Sequence, residues 1–233
     1  MKCVILQPSY IPWRGYFHQI QKSDLFIFYD CVQYDKHGWR NRNSIKTPQG
    51  TQWMTIPVNT KGCVSGGRLI KDIPISWDMA WNEKHLKSLI QSYSKAPFLK
   101  KYQLLLEEIY SRHDSLLSDF TCSTTEMIAR ELGIAHTKFI RSSGLGAEGS
   151  KTDRLIWILK KVGATHYISG PSAADYIERE KFDEAGISLE FMVYDYPDYP
   201  QLHGNFQPQV SVLDLLLNLG PDGYRYIWGD SIS

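Results

Sequence analysis

Aromatic, amide and guanidinium side chains are concentrated in two segments near the N-terminus, residues 7–16 and 30–46. Tyr and Trp rings offer flat apolar faces with a polar edge, which suits stacking on sugar rings or bases. Arg offers a rigid fork of donors that matches phosphate or carboxylate. The pattern therefore predicts a binding surface for a polar, anionic and partly planar small molecule. The candidate ligand-binding residues here are Gln7, Tyr10, Trp13, Tyr16, Gln33, Tyr34, Trp39, Arg40, Asn41, Arg42 and Lys46.

A structural alternative stays open for the same residues. Trp13 and Trp39 can plug the ends of the core, with Arg40 and Arg42 solvated, because amphipathic side chains often cover a core edge.

A glycine-rich segment precedes Lys151 and Thr152. It has the G-x-G-x-x-G spacing, but a dinucleotide site also needs an acidic residue at the end of the next strand, where this chain has Ser169 and Gly170. It also misses the phosphate-binding Gly-Lys-Thr pattern, because Ser150 separates the last glycine from Lys151. A helix start with Lys151 and Thr152 still favours binding of one phosphate or carboxylate. Ser169, Gly170 and Ser172, between a strand and a helix, are further candidates.

Two residues are candidate acid–base catalysts. His203 lies in a polar, aromatic and irregular segment before the last predicted helix. The structural alternative is an imidazole bonded to the backbone. Asp30 is the second candidate, because it ends a buried strand at the same predicted sheet edge. No H-x-x-x-H, H-E-x-x-H or carboxylate cluster with metal spacing occurs, so no metal is indicated and no cofactor is assigned.

The hydrophobic pattern places these residues at the ends of predicted strands and helices. An N-terminal β-α-β unit comprises strand Lys2–Leu6, a helix from Gly15 to Lys22 and strand Leu25–Tyr29, which should be parallel. Two strands, Gln52–Val58 and Arg68–Ile75, flank a Gly-rich hairpin loop or mobile lid. Helices are predicted at Trp77–Tyr93, Phe98–Arg112 and Leu116–Leu132. The second half alternates strand Thr137–Arg141, helix Lys151–Val162, strand His166–Ser169, helix Ala173–Glu180 and strand Leu189–Val193, with a last helix from Ser211.

This order predicts a single α/β domain over residues 1–233, with a mostly parallel, Rossmann-like sheet and a helical insertion at residues 76–133. The carboxyl ends of parallel strands share one edge, where open α/β sheets bind ligands. We therefore expect Gln7, Tyr10, Trp13, Lys151 and Ser169 to line one cleft.

Composition excludes several classes of function. The 233-residue chain has 26 basic and 25 acidic side chains, a net charge of +1, which argues against binding duplex nucleic acid. No apolar run approaches the roughly 18 residues that span a bilayer. The N-terminus lacks the features of a signal peptide, so we expect a cytoplasmic protein. Four scattered cysteines indicate neither a disulfide framework nor a zinc site. The sequence assigns no oligomeric state.

The motifs as a group resemble the WbqC-like family, whose members are encoded in many bacterial surface-polysaccharide gene clusters. The resemblance rests on segments Gln7–Phe17, Asp24–Asp30, Trp39–Arg42, Thr55–Val58, Lys151–Leu155, Tyr167–Tyr176, Tyr199–Phe206 and Ser211–Asp214. It adds Arg154 and Gln201 to the candidate ligand-binding residues. It implies an enzyme of surface-polysaccharide (O-antigen type) biosynthesis, for which we expect transfer of an acyl or aminoacyl group to an amino sugar or nucleotide sugar.

Two other functions remain open. The order of the first elements looks like the HUP-type layout of nucleotidyltransferases, which carry H-x-G-H at the start of the first helix. Here Trp13 or Arg14 and Tyr16 replace the two histidines, with His18 nearby, which puts adenylyl transfer in doubt. The other alternative is a noncatalytic protein that binds a sugar nucleotide, which would explain the lack of an evident nucleophile–base pair.

Overall fold

The computed structural model describes residues 1–60 and 67–229. Its strands are β1 (Lys2–Leu6), β2 (Leu25–Phe28), β3 (Arg42–Thr47), β4 (Gly50–Thr55), β5 (Lys138–Arg141), β6 (His166–Ser169) and β7 (Ser188–Phe191). Its α-helices are α1 (Arg14–Gln21), α2 (Trp81–Ser92), α3 (Leu99–Ser111), α4 (Leu117–Glu131), α5 (Lys151–Val162), α6 (Arg179–Glu184) and α7 (Val212–Leu219). Short 3-10 turns occur at Ile70–Asp72, Ser142–Gly144, Pro171–Asp175 and Gly220–Tyr226.

Five strands form one parallel sheet in the order β5-β2-β1-β6-β7. Val4 in the central strand pairs with Phe26 of β2 and with Ile168 of β6. The chain builds outward from β1 to one edge and then returns to build the other half. This is the strand order of a Rossmann-like sheet, so the α/β prediction is confirmed. The direction in which successive strands are added to the sheet reverses between β1 and β6, which makes this position the topological switch point.

The sheet separates two hydrophobic clusters because successive strand residues point to opposite faces. Val4 belongs to one cluster, and its neighbours Cys3 and Ile5 belong to the other. Helices α1, α2, α3, α4 and α7 contribute to the first cluster. Helices α5 and α6 contribute to the second. Apolar strands covered on both faces are what a parallel sheet requires.

The segment after β2 differs from the prediction. Residues 42–47, to which the sequence pattern assigns no strand, form β3, which pairs with β4 in an antiparallel hairpin outside the main sheet. The predicted strand Arg68–Ile75 is wrong. Its buried residues Ile70, Ile73 and Ile75 surround a 3-10 turn, and the backbone N–H of Leu117 at the start of α4 donates to Ile73. Most of the predicted Gly-rich loop, residues 61–66, lies outside the described residues.

Helices α2, α3 and α4 agree with their predicted segments within a few residues. The predicted helix Ala173–Glu180 is wrong. Pro171 instead starts a 3-10 turn that ends at Asp175, and α6 begins only at Arg179. Ile177, between the two, is buried and packs in the second cluster.

Helix length also bears on membrane insertion. Within residues 1–60 and 67–229, no helix has both the length and the apolar character needed to cross a bilayer.

Candidate functional site

A cavity of about 660 Å³ lies at the topological switch point, over the carboxyl ends of β1 and β6. Its volume falls in the range of small-molecule sites, and its position is the one at which open α/β sheets bind ligands. The β1 end contributes Ile5, Leu6, Gln7, Ser9, Pro12, Trp13, Tyr16 and Gln19. The hairpin side and neighbouring segments contribute Tyr29, Trp39, Arg40, Asn43, Tyr194 and Gln209. The α5 and β6 side contributes Lys151, Leu155, Tyr167, Ser169, Gly170, Pro171, Ser172, Ala173 and Tyr176.

Trp13 is held in place at the start of α1. A Cβ on Gly15 would lie only 2.3 Å from Trp13 Cζ2, so the close approach of this indole requires glycine. The ring of Tyr194 meets the indole edge to face, with centroids 4.9 Å apart. Such edge-to-face packing fixes an aromatic ring without covering both of its faces. Trp13 therefore forms a rigid part of the cavity wall.

Arg40 joins the hairpin side of the cavity to the loop after β1. Its Nη1 donates to the carbonyl oxygen of Gln7 at 3.3 Å and to Ser9 Oγ at 3.1 Å. Its Nε is buried and has no hydrogen-bond partner. Burial lowers the pKa of Arg40, opposed by the nearby Tyr16, although an arginine remains charged at neutral pH. One nitrogen of the guanidinium thus braces the loop after β1, while Nε is left without a partner.

Lys151 occupies the first position of α5, at the cavity wall. Its φ is 49°, in the left-handed region that costs a non-glycine residue on the order of 1–2 kcal/mol. The N-terminal end of a helix carries a partial positive charge and unpaired N–H groups. The lysine charge and the helix end therefore reinforce each other as an anion site.

The adjacent candidates on α5 point to internal partners. Thr152 is buried, and its Oγ1 accepts a hydrogen bond from the backbone N–H of Glu178 at 3.3 Å. Arg154 Nε donates to the carbonyl oxygen of Gly149 at 2.7 Å. Neither residue lines the cavity. They hold the glycine-rich segment and the start of α6 against α5.

Ser169, Gly170 and Ser172 all line the cavity, as expected for residues that follow a central parallel strand. Ser169 ends β6 and is buried. Gly170 precedes the 3-10 turn, with Pro171 in its first positions. The β6 end of the site is therefore a rigid turn with two hydroxyl groups.

Gln19 is a lining residue that the sequence analysis missed. Only 3% of its surface is exposed. Its Nε2 donates to the hydroxyl of Tyr194 at 2.7 Å, and its Oε1 is buried without a hydrogen-bond partner. Helical spacing could have found it, because Gln19 lies three residues after Tyr16 on the same face of α1. Tyr194, also missed, has no comparable pattern because it follows β7 in an irregular segment.

Several predicted residues beside β3 lie outside the cavity lining. Tyr10 is fully buried, and its hydroxyl contacts Tyr110 Oη at 2.6 Å and His85 Nδ1 at 2.8 Å. It does not line the cleft, because its ring packs into the first hydrophobic cluster. The Nδ2 of Asn41 donates to the carbonyl oxygen of Ile56 at 2.8 Å.

Gln33, Tyr34 and Arg42 are also absent from the lining. Gln33 forms an isolated backbone bridge with Leu69, and the backbone N–H of Tyr34 donates to the carbonyl oxygen of Arg68. Arg42 belongs to an exposed cluster with Trp39 and Trp53.

This cluster extends outward from the cavity. The rings of Trp39 and Trp53 lie with centroids 5.3 Å apart, and their exposures are 43% and 52%. The guanidinium of Arg42 lies 5.0 Å from the Trp53 ring centroid and donates to the carbonyl oxygen of His37. Only Trp39 of these residues reaches the cavity lining.

Lys46, Gln201 and His203 belong to a buried region around Asp214 and its surrounding loop, outside the cavity lining. Asp214 accepts hydrogen bonds from the hydroxyls of Tyr93 at 2.7 Å and Tyr199 at 2.8 Å. Burial raises the pKa of its carboxyl group, and the hydroxyl donors oppose that shift.

Each of the three candidates has a partner there. Lys46 Nζ donates to the carbonyl oxygen of Gly204 at 3.0 Å, and Gln201 Nε2 contacts Tyr199 Oη at 3.0 Å. His203 Nε2 lies 2.6 Å from the carbonyl oxygen of Ser92. This backbone contact corresponds to the structural alternative for His203.

Asp30, the second catalytic candidate, is fully buried and does not line the cavity. Its Oδ1 accepts from Ser142 Oγ at 3.0 Å and from the N–H of Ser143 at 2.9 Å, and its Oδ2 accepts from Ser143 Oγ at 2.8 Å. A carboxylate with these donors fixes the turn after β5 to the end of β2. Asp30 lies after β2 at the expected edge of the sheet, but Ser142 and Ser143 already donate to both of its carboxylate oxygen atoms.

The charged side chains of the described cavity lining are all positive. Among the described residues, the lining includes the cations Arg40 and Lys151 but no Asp, Glu, His or Cys. Within residues 1–60 and 67–229, no group of three or more His, Cys, Asp or Glu side chains is placed to hold a metal ion. The arrangement suits an anionic ligand with planar or ring-shaped parts.

The cavity lies in a part of the chain that is similar to known proteins over nearly its whole length. The model of the WbqC-like protein family matches residues 7–226. The chain is also similar to the uncharacterized protein Rv1507c of Mycobacterium tuberculosis, with 41% identity over 230 residues that cover 97% of this chain and 98% of the relative. No solved structure gives a significant match. The family match includes every lining residue except Ile5 and Leu6.

Proposed function

The chain belongs to the WbqC-like family, and from this membership and the cavity we propose that it is a cytosolic enzyme of surface-polysaccharide biosynthesis. Its ligand is a nucleotide-linked amino sugar, and its reaction transfers an acyl or aminoacyl group to the sugar amine. The pathway is what the resemblance to the family implies, and the family name hints at it. The ligand class comes from the cavity.

The observation that carries the proposal is the combination of charge and aromatic surface at the switch point. Arg40 and Lys151 supply two cations, and the described lining has no carboxylate to balance them. A phosphate-containing ligand neutralises these charges. Trp13 and Trp39 offer flat surfaces for its rings.

The two cations suit different interactions. Lys151 is a point charge beside the N-terminus of α5, where a phosphate gains from both the ammonium group and the helix N–H groups. Arg40 has a buried donor without a partner, which suits a directed hydrogen bond to an oxygen atom. Charge-assisted bonds of this kind contribute about 1.5–3 kcal/mol each.

The proposed reaction needs no covalent intermediate on the protein. The amine nitrogen of the sugar forms a bond to the acyl carbon of an activated ester or thioester donor. The bond between that carbon and the leaving group breaks, and the proton lost by the nitrogen passes to the leaving group. The described lining offers hydroxyl groups but no Cys or His, so positioning of the two reactants is its main contribution.

A noncatalytic sugar-nucleotide binder is the second candidate. The specific observation in its favour is that neither proposed catalyst, Asp30 or His203, lines the cavity. Binding without turnover by this chain would establish that candidate.

Nucleotidyl transfer has less support. Of the groups near the H-x-G-H positions, Arg14 is buried and donates to the carbonyl oxygens of Pro197 and Tyr226. His18 Nδ1 lies 2.9 Å from the hydroxyl of Tyr196, and burial lowers the pKa of His18 to about 4. A neutral, engaged imidazole does not stabilise a transferring phosphate.

The test of the proposal is a mass-spectrometric assay. The protein is incubated with nucleotide-linked amino sugars and with acyl-coenzyme A or aminoacyl donors, and the products are searched for the mass of the added group. The proposal expects an N-acylated nucleotide sugar that is absent when Lys151→Ala replaces the native protein. Tight binding of the nucleotide sugars without product would favour the noncatalytic binder, and absence of binding would contradict both functions.

A further inference from the structure

The α1 end of the cavity contains a buried polar group without a partner. Gln19 lines the cavity and is almost fully buried, yet its Oε1 has no hydrogen-bond donor. A buried carbonyl oxygen without a donor destabilises the folded protein, because its hydrogen bonds to water are lost and not replaced. Native proteins satisfy most such groups, so an unpaired one beside a cavity is typical of a place where a ligand supplies the partner.

Tyr194 completes a donor–acceptor pair with Gln19. Its hydroxyl oxygen accepts the hydrogen bond from Gln19 Nε2, which leaves the hydroxyl hydrogen free to be donated. Within the described part of the chain, that hydrogen has no acceptor. Burial raises the pKa of Tyr194 to about 12, so the hydroxyl stays protonated at neutral pH. If the Gln19 amide turns by half a rotation, the pair still presents one donor and one acceptor.

An aromatic wall stands next to this pair. Trp13 packs edge to face against Tyr194 and also lines the cavity. The absence of a side chain at Gly15 keeps the indole close to the helix. The α1 end thus combines a flat apolar surface with an adjacent donor and acceptor.

We propose that Trp13, Gln19 and Tyr194 form a nucleobase subsite, in which Trp13 contacts the base and the other two side chains read a donor and an acceptor on its edge. Each nucleobase carries a neighbouring donor and acceptor on its pairing edge, whereas phosphate carries acceptors alone. A sugar ring can also pack on Trp13, but each of its hydroxyls combines donor and acceptor on one rotatable oxygen, whereas a base holds a donor and an acceptor on neighbouring atoms in one fixed plane. The proposal rests on the proposed function, because it assigns one end of the same cavity to one part of the nucleotide sugar.

The test compares ligands with and without a base by calorimetry. The probes are UDP, GDP, CDP, ADP and dTDP, with inorganic pyrophosphate and ribose 5-phosphate as ligands that lack a base. We expect at least one nucleoside diphosphate to bind at least tenfold more tightly than both ligands without a base. The variants Gln19→Leu and Tyr194→Phe should each weaken that nucleotide about tenfold, the loss of one hydrogen bond, and leave pyrophosphate affinity unchanged.

Stability separates reading of the base from a structural role. Gln19→Leu removes both an unsatisfied buried oxygen and the hydrogen bond from Nε2 to Tyr194, two effects of opposite sign, so its melting temperature should stay close to that of the native protein. A lower melting temperature together with equal weakening of every probe would overturn the subsite. Nucleotides and pyrophosphate that bind equally, with both variants unchanged, would refute the subsite while the anion site of the proposed function stands. If no probe binds, the proposed function and the subsite both fail.

Discussion

Replacing Arg40 with Lys separates the charge of the cavity from the geometry of the guanidinium group. Lys keeps one positive charge but loses the planar fork of donors. The native Nη1 already contacts Gln7 and Ser9, and the buried Nε is the donor without a partner. If that donor binds a phosphate or carboxylate oxygen, its loss costs about 1.5–3 kcal/mol, or roughly 10- to 150-fold in affinity.

The assay is calorimetric titration of each variant with a nucleotide-linked amino sugar at neutral pH. Arg42→Lys is a matched control, because Arg42 lies two positions away, contacts Trp53 and His37, and does not line the cavity. Its affinity should stay within about twofold of the native value, as for surface substitutions in general. Full affinity in Arg40→Lys, or an equal loss in both variants, would refute the reasoning.

A second control addresses the loop after β1. Arg40→Lys also removes a brace on that loop, which could disturb the cavity indirectly. Ser9→Ala removes the bond between Arg40 Nη1 and Ser9 Oγ while it keeps the guanidinium. We expect Ser9→Ala to cost about 1 kcal/mol of stability with a much smaller loss of affinity. If Ser9→Ala weakens binding as strongly as Arg40→Lys, the effect of Arg40 is structural.

Three further substitutions test other parts of the site. Lys151→Gly relieves a left-handed φ of 49° and removes a cation. In thermal denaturation the melting temperature should hold or rise, and in calorimetry the affinity for a nucleotide sugar should fall at least tenfold. A parallel fall of melting temperature and affinity would contradict a ligand role for Lys151. Gly15→Ala forces Trp13 to move, because the new Cβ would lie 2.3 Å from its ring. Fluorescence titration should then show weaker ligand binding and an altered Trp emission. Native affinity in this variant would exclude Trp13 from the site. His203→Gln disturbs the contact with the carbonyl oxygen of Ser92 outside the cavity. We expect the free energy of unfolding to fall by about 1 kcal/mol, or roughly 2–4 °C in melting temperature, with ligand affinity and turnover unchanged. A hundredfold lower turnover at native stability would restore His203 as a catalyst.

The main features of the sheet could be predicted because apolar strands that alternate with amphipathic helices leave few alternatives. Strand His166–Ser169 and helix Lys151–Val162 were predicted with the bounds that the structure shows. Position at the carboxyl edge followed from parallel strands alone, which is why Gln7, Trp13 and Ser169 meet at the cavity.

The hairpin of β3 and β4 could not be recognised from its hydrophobic pattern. Asn43, Ser44 and Lys46 are polar but buried, and their partners are backbone oxygen atoms distant in sequence. Such burial depends on tertiary hydrogen bonds rather than on local periodicity. The same reason explains why Asp30 resembled a catalyst. A buried carboxylate at a strand end has the same sequence pattern whether it binds a ligand or, as here, two serines.

Amide hydrogen exchange with and without ligand tests most directly whether the switch-point cavity is the binding site. The probes are UDP-, GDP- and dTDP-linked amino sugars, and thermal denaturation first identifies those that bind. A ligand at one hundred times its dissociation constant adds about 2.7 kcal/mol of stability, or roughly 5–10 °C in melting temperature. We predict new protection in residues 7–19, 151–155 and 169–173, which surround the cavity. Protection confined to the region of Asp214 and His203, or no stabilisation by any member of the panel, would contradict the assignment.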